Sequence, residues 1–400
     1  MRSPLSLLRQ LRSHGGLWLF RWKERHRWHF ISPREGPSRG FATFGTRSRI
    51  AFFNRHYLGE THTDGVNITT ARNWNPLNIA QRARRLACKR GLVIFTRNTA
   101  PRSLREDLLK LDFFIPLIIP LTGSINDYAR DLGSLAKANL RKIRSRGYRA
   151  EISTDASWAQ EFYERYHRPS MQGRHGDDGS LFSPSDSAAL FKDDRFEWLR
   201  VFDGDDCISA CIGERQANAY HFQRTGWRDG SPALQSAGAS AALYWFGVQR
   251  AIELGLPAFN QGGVMPCLEN GLFIHKTAWG GRLLRTNYEY RSRFLLLDPA
   301  HTDARRFISE HSLVIRDPDE RFFVISSHLP VEVPTYAAQA PYITAWFRLR
   351  DTPDATLAEA TANQLMPIPL RPWFDAIPLT TPPGPSTPPT VAKTLPPAAA

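Results

Sequence analysis

Lys276, His221 and Glu269 are the side chains best placed by the sequence to do chemistry. Lys276 follows a glycine-rich stretch and stands beside Trp279, a setting that would hold an ammonium near a cleft at a strand end. There it could stabilise negative charge developing on a reacting oxygen. His221 lies in "NAYHFQR", which reads as a strand. Alternation puts Tyr220 and Phe222 on the face opposite the imidazole, making His221 the first choice for proton transfer and Glu269 the second. The structural alternatives are a surface lysine, a satisfied core histidine and a solvent-exposed glutamate. A second set could hold an anion. Gln235, Gly238, Ala239 and Ser240 open a helix with small residues, whose first N–H groups lack intrahelical partners and are approachable by a pyrophosphate. Small residues there also serve close packing. Lys137, Arg141, Lys142, Arg144 and Arg146 make one helix basic. Arg141 and Arg144 share a face and could bind a phosphate of a substrate or of RNA, or simply be solvated. Arg174 and His175 fall in an expected loop lining the cleft, although "GRHG" is also an ordinary turn. There is no P-loop, dinucleotide fingerprint, GxSxG, HExxH or metal-ligand cluster at a credible spacing, so no metal is expected.

These residues need elements to position them. Before residue 120, "RSRIAFF" and "RGLVIFTRN" read as strands. "NPLNIAQRARRLACKR" reads as a helix with Asn75 as cap and Pro76 at its first position. "DFFIPLIIPLT", broken by Pro116 and Pro120, is expected as an edge strand or a connection. Ser124 is a good N-cap with Asp127 in the first turn. The helical pattern that follows breaks near Gly133 and stops at Gly147, and "YRAEIS" is a strand. A helix over Ala156 to His167 comes next. Then "FEWLRVFDGDDCISACIGERQANAYHFQRTGW" reads as three strands with a hairpin turn at "FDGDD". The helix "SAGASAALYWFGVQRAIELG" and the strand "PAFNQGG" complete an α/β arrangement around a mixed sheet.

Four stretches, in order, resemble GNAT-superfamily acyltransferases of the FemAB-like kind. Gln235, Gly238 and Ser240 form Q-x-x-G-x-S, similar to the family's Q/R-x-x-G-x-G/A phosphate signature, with Ser240 departing from it. "FNQGGVMPCLENGLFIHKTAWGG" resembles the segment closing the family's core, with Gly262, Gly263, Gly271, Lys276, Trp279 and Gly280 at the matching places and His275 where an aromatic is common. "SLAKANLRKIRSRG" resembles its basic helix, and "FYERYHRPSMQGRHG" its helix and arginine-histidine-glycine loop. The resemblance implies a mixed, centrally twisted sheet flanked by helices, as a tandem of a degenerate module (31–125) and a complete one (126–329). It implies transfer of an acyl or aminoacyl group to an amine or hydroxyl of a cell-wall or polysaccharide precursor. Acyl-CoA, acetyl-CoA foremost, would be the donor, held at Gln235, Gly238, Ala239 and Ser240. Arg141, Arg144, Arg174, His175, Gly262, Gly263 and Trp279 would contact the acceptor.

Composition bounds the rest. With 42% hydrophobic and 22% charged residues, the bulk of the chain can bury a core. The net charge of +14 favours anionic partners: phosphorylated donors, tRNA or an acidic membrane surface. The four cysteines lack zinc-finger spacing and read as reduced cytosolic thiols. No run of about 18 apolar residues predicts a membrane span. Residues 1–30 read as a basic amphipathic segment, packed on the first module or lying on a membrane surface. The expected location is therefore cytoplasmic, peripheral to the inner face of the membrane in the second case. Residues 330–400 are proline-rich and expected to be a largely disordered tail. Two alternatives to acyl-CoA chemistry stand: an aminoacyl-tRNA-dependent transferase, and a non-catalytic descendant that binds a partner.

Overall fold

The computed structural model describes the backbone of residues 27–33, 41–44 and 66–72, and residues 78–379 other than 97–99, 113, 176–180, 182, 285–292, 318–320, 334, 336–338, 340–341, 359–364 and 378; side chains are described from residue 78 on, except those of Thr96, Arg174, His175 and Ala358. The expected strand at 47–53, the caps at Asn75 and Pro76 and residues 1–26 lie outside that set. Residues 27–30, assigned by sequence to the amphipathic segment, instead open a strand.

The described strands form three mixed sheets flanked by helices. The first takes β1 (Arg27–Pro33), β2 (Phe41–Phe44), β3 (Val66–Arg72), β4 (Leu92–Thr96) and β5 (Leu109–Leu111). The second takes β6 (Ile115–Pro120), β7 (Arg149–Ser153), β8 (Phe196–Asp203), β9 (Asp206–Gln216), β10 (Ala219–Trp227), β11 (Ala258–Val264) and β12 (Arg282–Leu283). β13 (Arg293–Leu297) then returns to the first sheet, between β4 and β5. The third comprises β14 (Leu313–Arg316), β15 (Phe322–Ser326), β16 (Ile343–Leu349) and β17 (Phe374–Ile377).

The helices follow local chemistry. Helix α1 (Ile79–Arg90) covers β4 and β13 with Ile79, Ala83 and Ala87, four residues apart on one face. Helix α2 (Ile125–Asp131) starts with a capping box in which Ser124 and Asp127 satisfy each other's backbone N–H groups. Gly133 then caps α3 (Ser134–Ser145), and Gly147 ends it at a φ of 64° that suits glycine. Helix α4 (159–175) carries a π-turn over Phe162–His167 and continues to His175, so Arg174 and His175 end a helix where a loop was expected. The remaining helices are α5 (Pro184–Leu190), α6 (Pro232–Ser236), α7 (Ala239–Glu253), α8 (Gly271–Ala278) and α9 (Thr302–Ser309). Among the described residues no helix is long and apolar enough to cross a membrane.

The second sheet runs β12-β6-β11-β10-β9-β8-β7, antiparallel throughout except for the β10–β11 pair. Helices α3 and α7 cover one face through Leu140, Ile143, Tyr244 and Val248. Helix α4 covers the other through Phe162 and Tyr166 against Trp198 and Ile212. Helix α7 is the crossover between the two parallel strands. Gly247 lets it sit directly on them, since a Cβ there would meet Phe222 and Phe259 at 2.6 and 2.7 Å.

Two sequence boundaries need correction. First, the segment expected as an edge or connection, β6, is an interior strand of the second sheet. Its prolines are tolerated because Pro116 faces the bulge at Gly263 and Pro120 is the last residue of the strand. The second sheet thus begins before residue 126 and ends at Leu283, and β13 completes the first sheet from the far side. Second, residues 330–379 are not tail. Trp346, Phe347, Met366, Leu370 and Phe374 are buried, and the third sheet packs against the first on one face and against β6, β11 and α8 on the other. Residues 380–400 lie outside the described set.

Candidate functional site

Strands β10 and β11 run parallel but pair at only two positions, Tyr220 with Phe259 and His221 with Asn260. Both then bulge: β10 between Phe222 and Arg224, β11 between Asn260 and Gly263. Bulges bend strands apart and re-aim side chains. The two strands therefore part toward their C-terminal ends, the end at which open α/β sheets bind ligands. Farther along, helix α4 takes over the backbone groups of β10. Ser170 Oγ bonds both N–H and C=O of Trp227 (2.9 and 3.1 Å), and His167 Nδ1 meets the Thr225 carbonyl at 3.3 Å. Between the last paired residues and this docking, β10 and β11 are not paired with each other.

His221 sits at the last pair. The hairpin register places Glu214 of β9 directly across from it. Glu214 Oε2 is 3.5 Å from His221 Nδ1 and accepts from Gln216 (2.9 Å) and Gln223 (2.6 Å), whose amide nitrogens also lie 3.3 and 3.2 Å from Nδ1. Burial alone would raise the Glu214 carboxyl, but hydrogen bonds from His221, Gln216 and Gln223 outweigh it and hold it below the usual range. The result is a half-buried histidine backed by an ionised carboxylate, the pairing that orients an imidazole and stabilises it when it takes a proton. Glu214, Gln216 and Gln223 were not singled out from sequence. The hairpin turn between Gln216 and Ala219 carries the signal: counting back from it sets Glu214 opposite His221.

The start of α7 stands at the same end of the sheet, because a crossover helix begins where its first strand ends. Gly238 caps it at a φ of 97° and no side chain occupies the cap. The carbonyls around this turn are held from the other side: Ser236 by Lys142 (3.1 Å), Ala237 by Tyr148 (3.3 Å) and Ala239 by Ser209 (2.8 Å). The first N–H groups of the helix have no intrahelical partner. Gly238 and Ala239 are buried, Ser240 half-buried and Gln235 exposed.

Other expected site residues have structural duties. Lys276 is 4% exposed, and its ammonium donates to the carbonyls of Gln261 (2.5 Å), Gly262 (3.1 Å) and Gly263 (3.0 Å). Those three carbonyls turn inward because β11 bulges there, so the lysine ties the bulge and its donors are not aimed at a cleft. Gly262 is needed for its φ of 74°, and Gly263 because a Cβ would meet Phe114 at 2.7 Å. Trp279 is wholly buried, stacked on Tyr244, with its carbonyl accepting from Tyr128. It is core and cannot touch an acceptor. Glu269 is exposed, and its carboxylate accepts from the Ser312 N–H at 2.8 Å, bracing the β11–α8 loop on β14. Arg141 and Arg144 line a separate cavity between α2 and α3. The side chains of Arg174 and His175 lie outside the described set.

His167, under the opening, gives a pH prediction. Burial lowers its pKa from the ordinary 6.5 to about 4. The folded form therefore resists a proton that the unfolded chain accepts, so stability is complete above pH 6.5 and falls as pH drops toward 4. At pH 4.5 the loss should be about 2.5 kcal/mol. Denaturant midpoints at pH 7.5 and 4.5 should differ less for His167→Asn than for wild type; equal differences would show that His167 does not set this dependence.

No family model and no curated protein matches the chain. Among solved structures, FemX matches over 70% of this chain and 91% of its own, with 12% identity and a TM-score of 0.37. L-PGS from Bacillus licheniformis matches over 70% and 84%, with 13% identity and a TM-score of 0.30. A GCN5-related N-acetyltransferase from Sphaerobacter thermophilus matches over 68% and 75%, with 13% identity and a TM-score of 0.31. Scores this low settle neither fold nor activity, which rest on the chain's own residues and geometry.

Proposed function

We propose that the chain is a GNAT-type, FemAB-like acyltransferase that moves an acyl group from acyl-CoA, acetyl-CoA foremost, to an amine or hydroxyl of a sugar, cell-wall or polysaccharide precursor. The observation that carries this reading is the parting of β10 and β11 after two residue pairs, with His221 at the last pair and the uncapped start of α7 at the same end. An extended thioester arm fits between parted strands, and its pyrophosphate suits helix N–H groups. We assign the proton of neutral His221 to Nδ1, on the side of Glu214, so that Nε2 is the base that takes the acceptor's proton as the acceptor nitrogen or oxygen attacks the thioester carbon. The new bond forms there, the carbon–sulfur bond breaks, and the thiolate leaves.

The net charge of +14 supports a second reading, in which the donor is aminoacyl-tRNA. Thermal melting of the full chain separates the two. Acetyl-CoA at about 100 times its dissociation constant should raise the midpoint by several degrees, and moderate salt should leave most of the shift. No shift with acetyl-CoA or longer acyl-CoAs would remove the first reading. Salt-sensitive binding of charged tRNA would then support the second.

A further inference from the structure

We propose that the cavity between α2 and α3 is a binding site for a phosphate or diphosphate ester. It has a volume of about 390 Å³, and its walls carry Arg130 from α2 with Lys137, Arg141 and Arg144 from α3, above Asn126 and Leu140. Lys137, Arg141 and Arg144 recur at steps of four and three, which puts them on one helix face. No carboxylate lines the cavity. Arg130 has Asp127 at 2.5 Å and Asp131 at 4.0 Å, but the other oxygen of the Asp127 carboxylate serves the Ser124 cap. Lys137 and Arg141 have no ion-pair partner among the described residues. Arg144 is held in place over Trp245, 5.7 Å from the ring centre, and Trp245 stacks on Tyr128.

All four side chains reach solvent, and all four border one concave surface, where a bound anion would relieve their mutual repulsion. The ligand class follows from the donors. Planar guanidinium forks match the several oxygens of a phosphoryl group, and a charge of two or three on a small group answers these cations better than one carboxylate. A nucleic-acid strand fits less well, since no lining residue offers an aromatic face for bases to stack on. No residue of the α7 start lines the cavity, so the group bound here is treated as distinct from the donor's pyrophosphate. That it belongs to the acceptor rests on the transferase reading; that it binds does not.

The test compares the full chain with a Lys137→Gln/Arg141→Gln double variant. Sodium pyrophosphate should raise the wild-type melting midpoint by several degrees beyond sodium chloride of equal ionic strength. The double variant should lose that extra shift and, without ligand, melt no lower than wild type, because repulsion has been relieved. An equal shift in both proteins, or none beyond chloride in wild type, overturns the proposal. Sedimentation with phosphatidylglycerol vesicles identifies the source. Vesicle binding lost in the variant assigns the group to a lipid headgroup; a pyrophosphate response without such a loss assigns it to a soluble ester. Acetyl-CoA is run on the same samples: no acetyl-CoA shift in either protein would count against the transferase reading while leaving this site standing.

Discussion

Lys276→Met should cost about 3 to 5 kcal/mol of stability, the scale for removing one side of a buried, fully bonded charged group. Three backbone carbonyls at the β11 bulge would lose their common donor inside the protein. Only the methylene packing of the lysine stem would be retained. The melting midpoint should fall by on the order of 10 °C. The competing view, that Lys276 stabilises charge on the reacting oxygen, expects the opposite pattern: transferase activity lost with the midpoint nearly unchanged. Melting curves of the two proteins decide between them. A variant that melts like wild type but is inactive would return Lys276 to the chemistry.

His221→Ala should lower the rate of acyl transfer by about 10²- to 10⁴-fold, the usual contribution of a general base. It should leave acetyl-CoA binding intact, because His221 touches the proton and not the pyrophosphate. Glu214→Gln should cost less, about 10-fold or more, by leaving the imidazolium without its carboxylate. Thiol release from acetyl-CoA in the presence of candidate amines and sugars measures both. A Glu214→Gln rate equal to that of wild type would show that the two residues do not act together.

What could be read from the sequence was mostly local. The Ser124–Asp127 box, the break at Gly133, the stop at Gly147 and the hairpin at "FDGDD" depend on neighbours within a few residues, and the structure contains each of them. His221 was found from strand alternation, and its partner Glu214 was one register count away. Lys276 was misread for a reason that is not local. Its duty comes from carbonyls some thirteen to fifteen residues earlier, turned inward by a bulge that no spacing rule announces. The third sheet was missed because proline density in the last stretch coloured the reading of residues 343–377. Trp346 and Phe347 are buried by strands that precede them and by β17 that follows. Arg141 and Arg144 were visible as a shared face, but the concavity that makes them a site requires α2 against α3.

The return of β13 to the first sheet has a consequence for how the chain is made. Leu92–Thr96 waits for Arg293–Leu297, which is synthesised some two hundred residues later. Until then β4 and β5 have no strand between them, and the apolar segments at 92–96 and 109–111 present open edges. Closing so long a loop is entropically slow, so the first sheet should mature after the second even though it begins first on the ribosome. A chain released before residue 297 would hold an assembled second sheet beside an unfinished first one, and that unfinished edge is where misassembly between copies would begin.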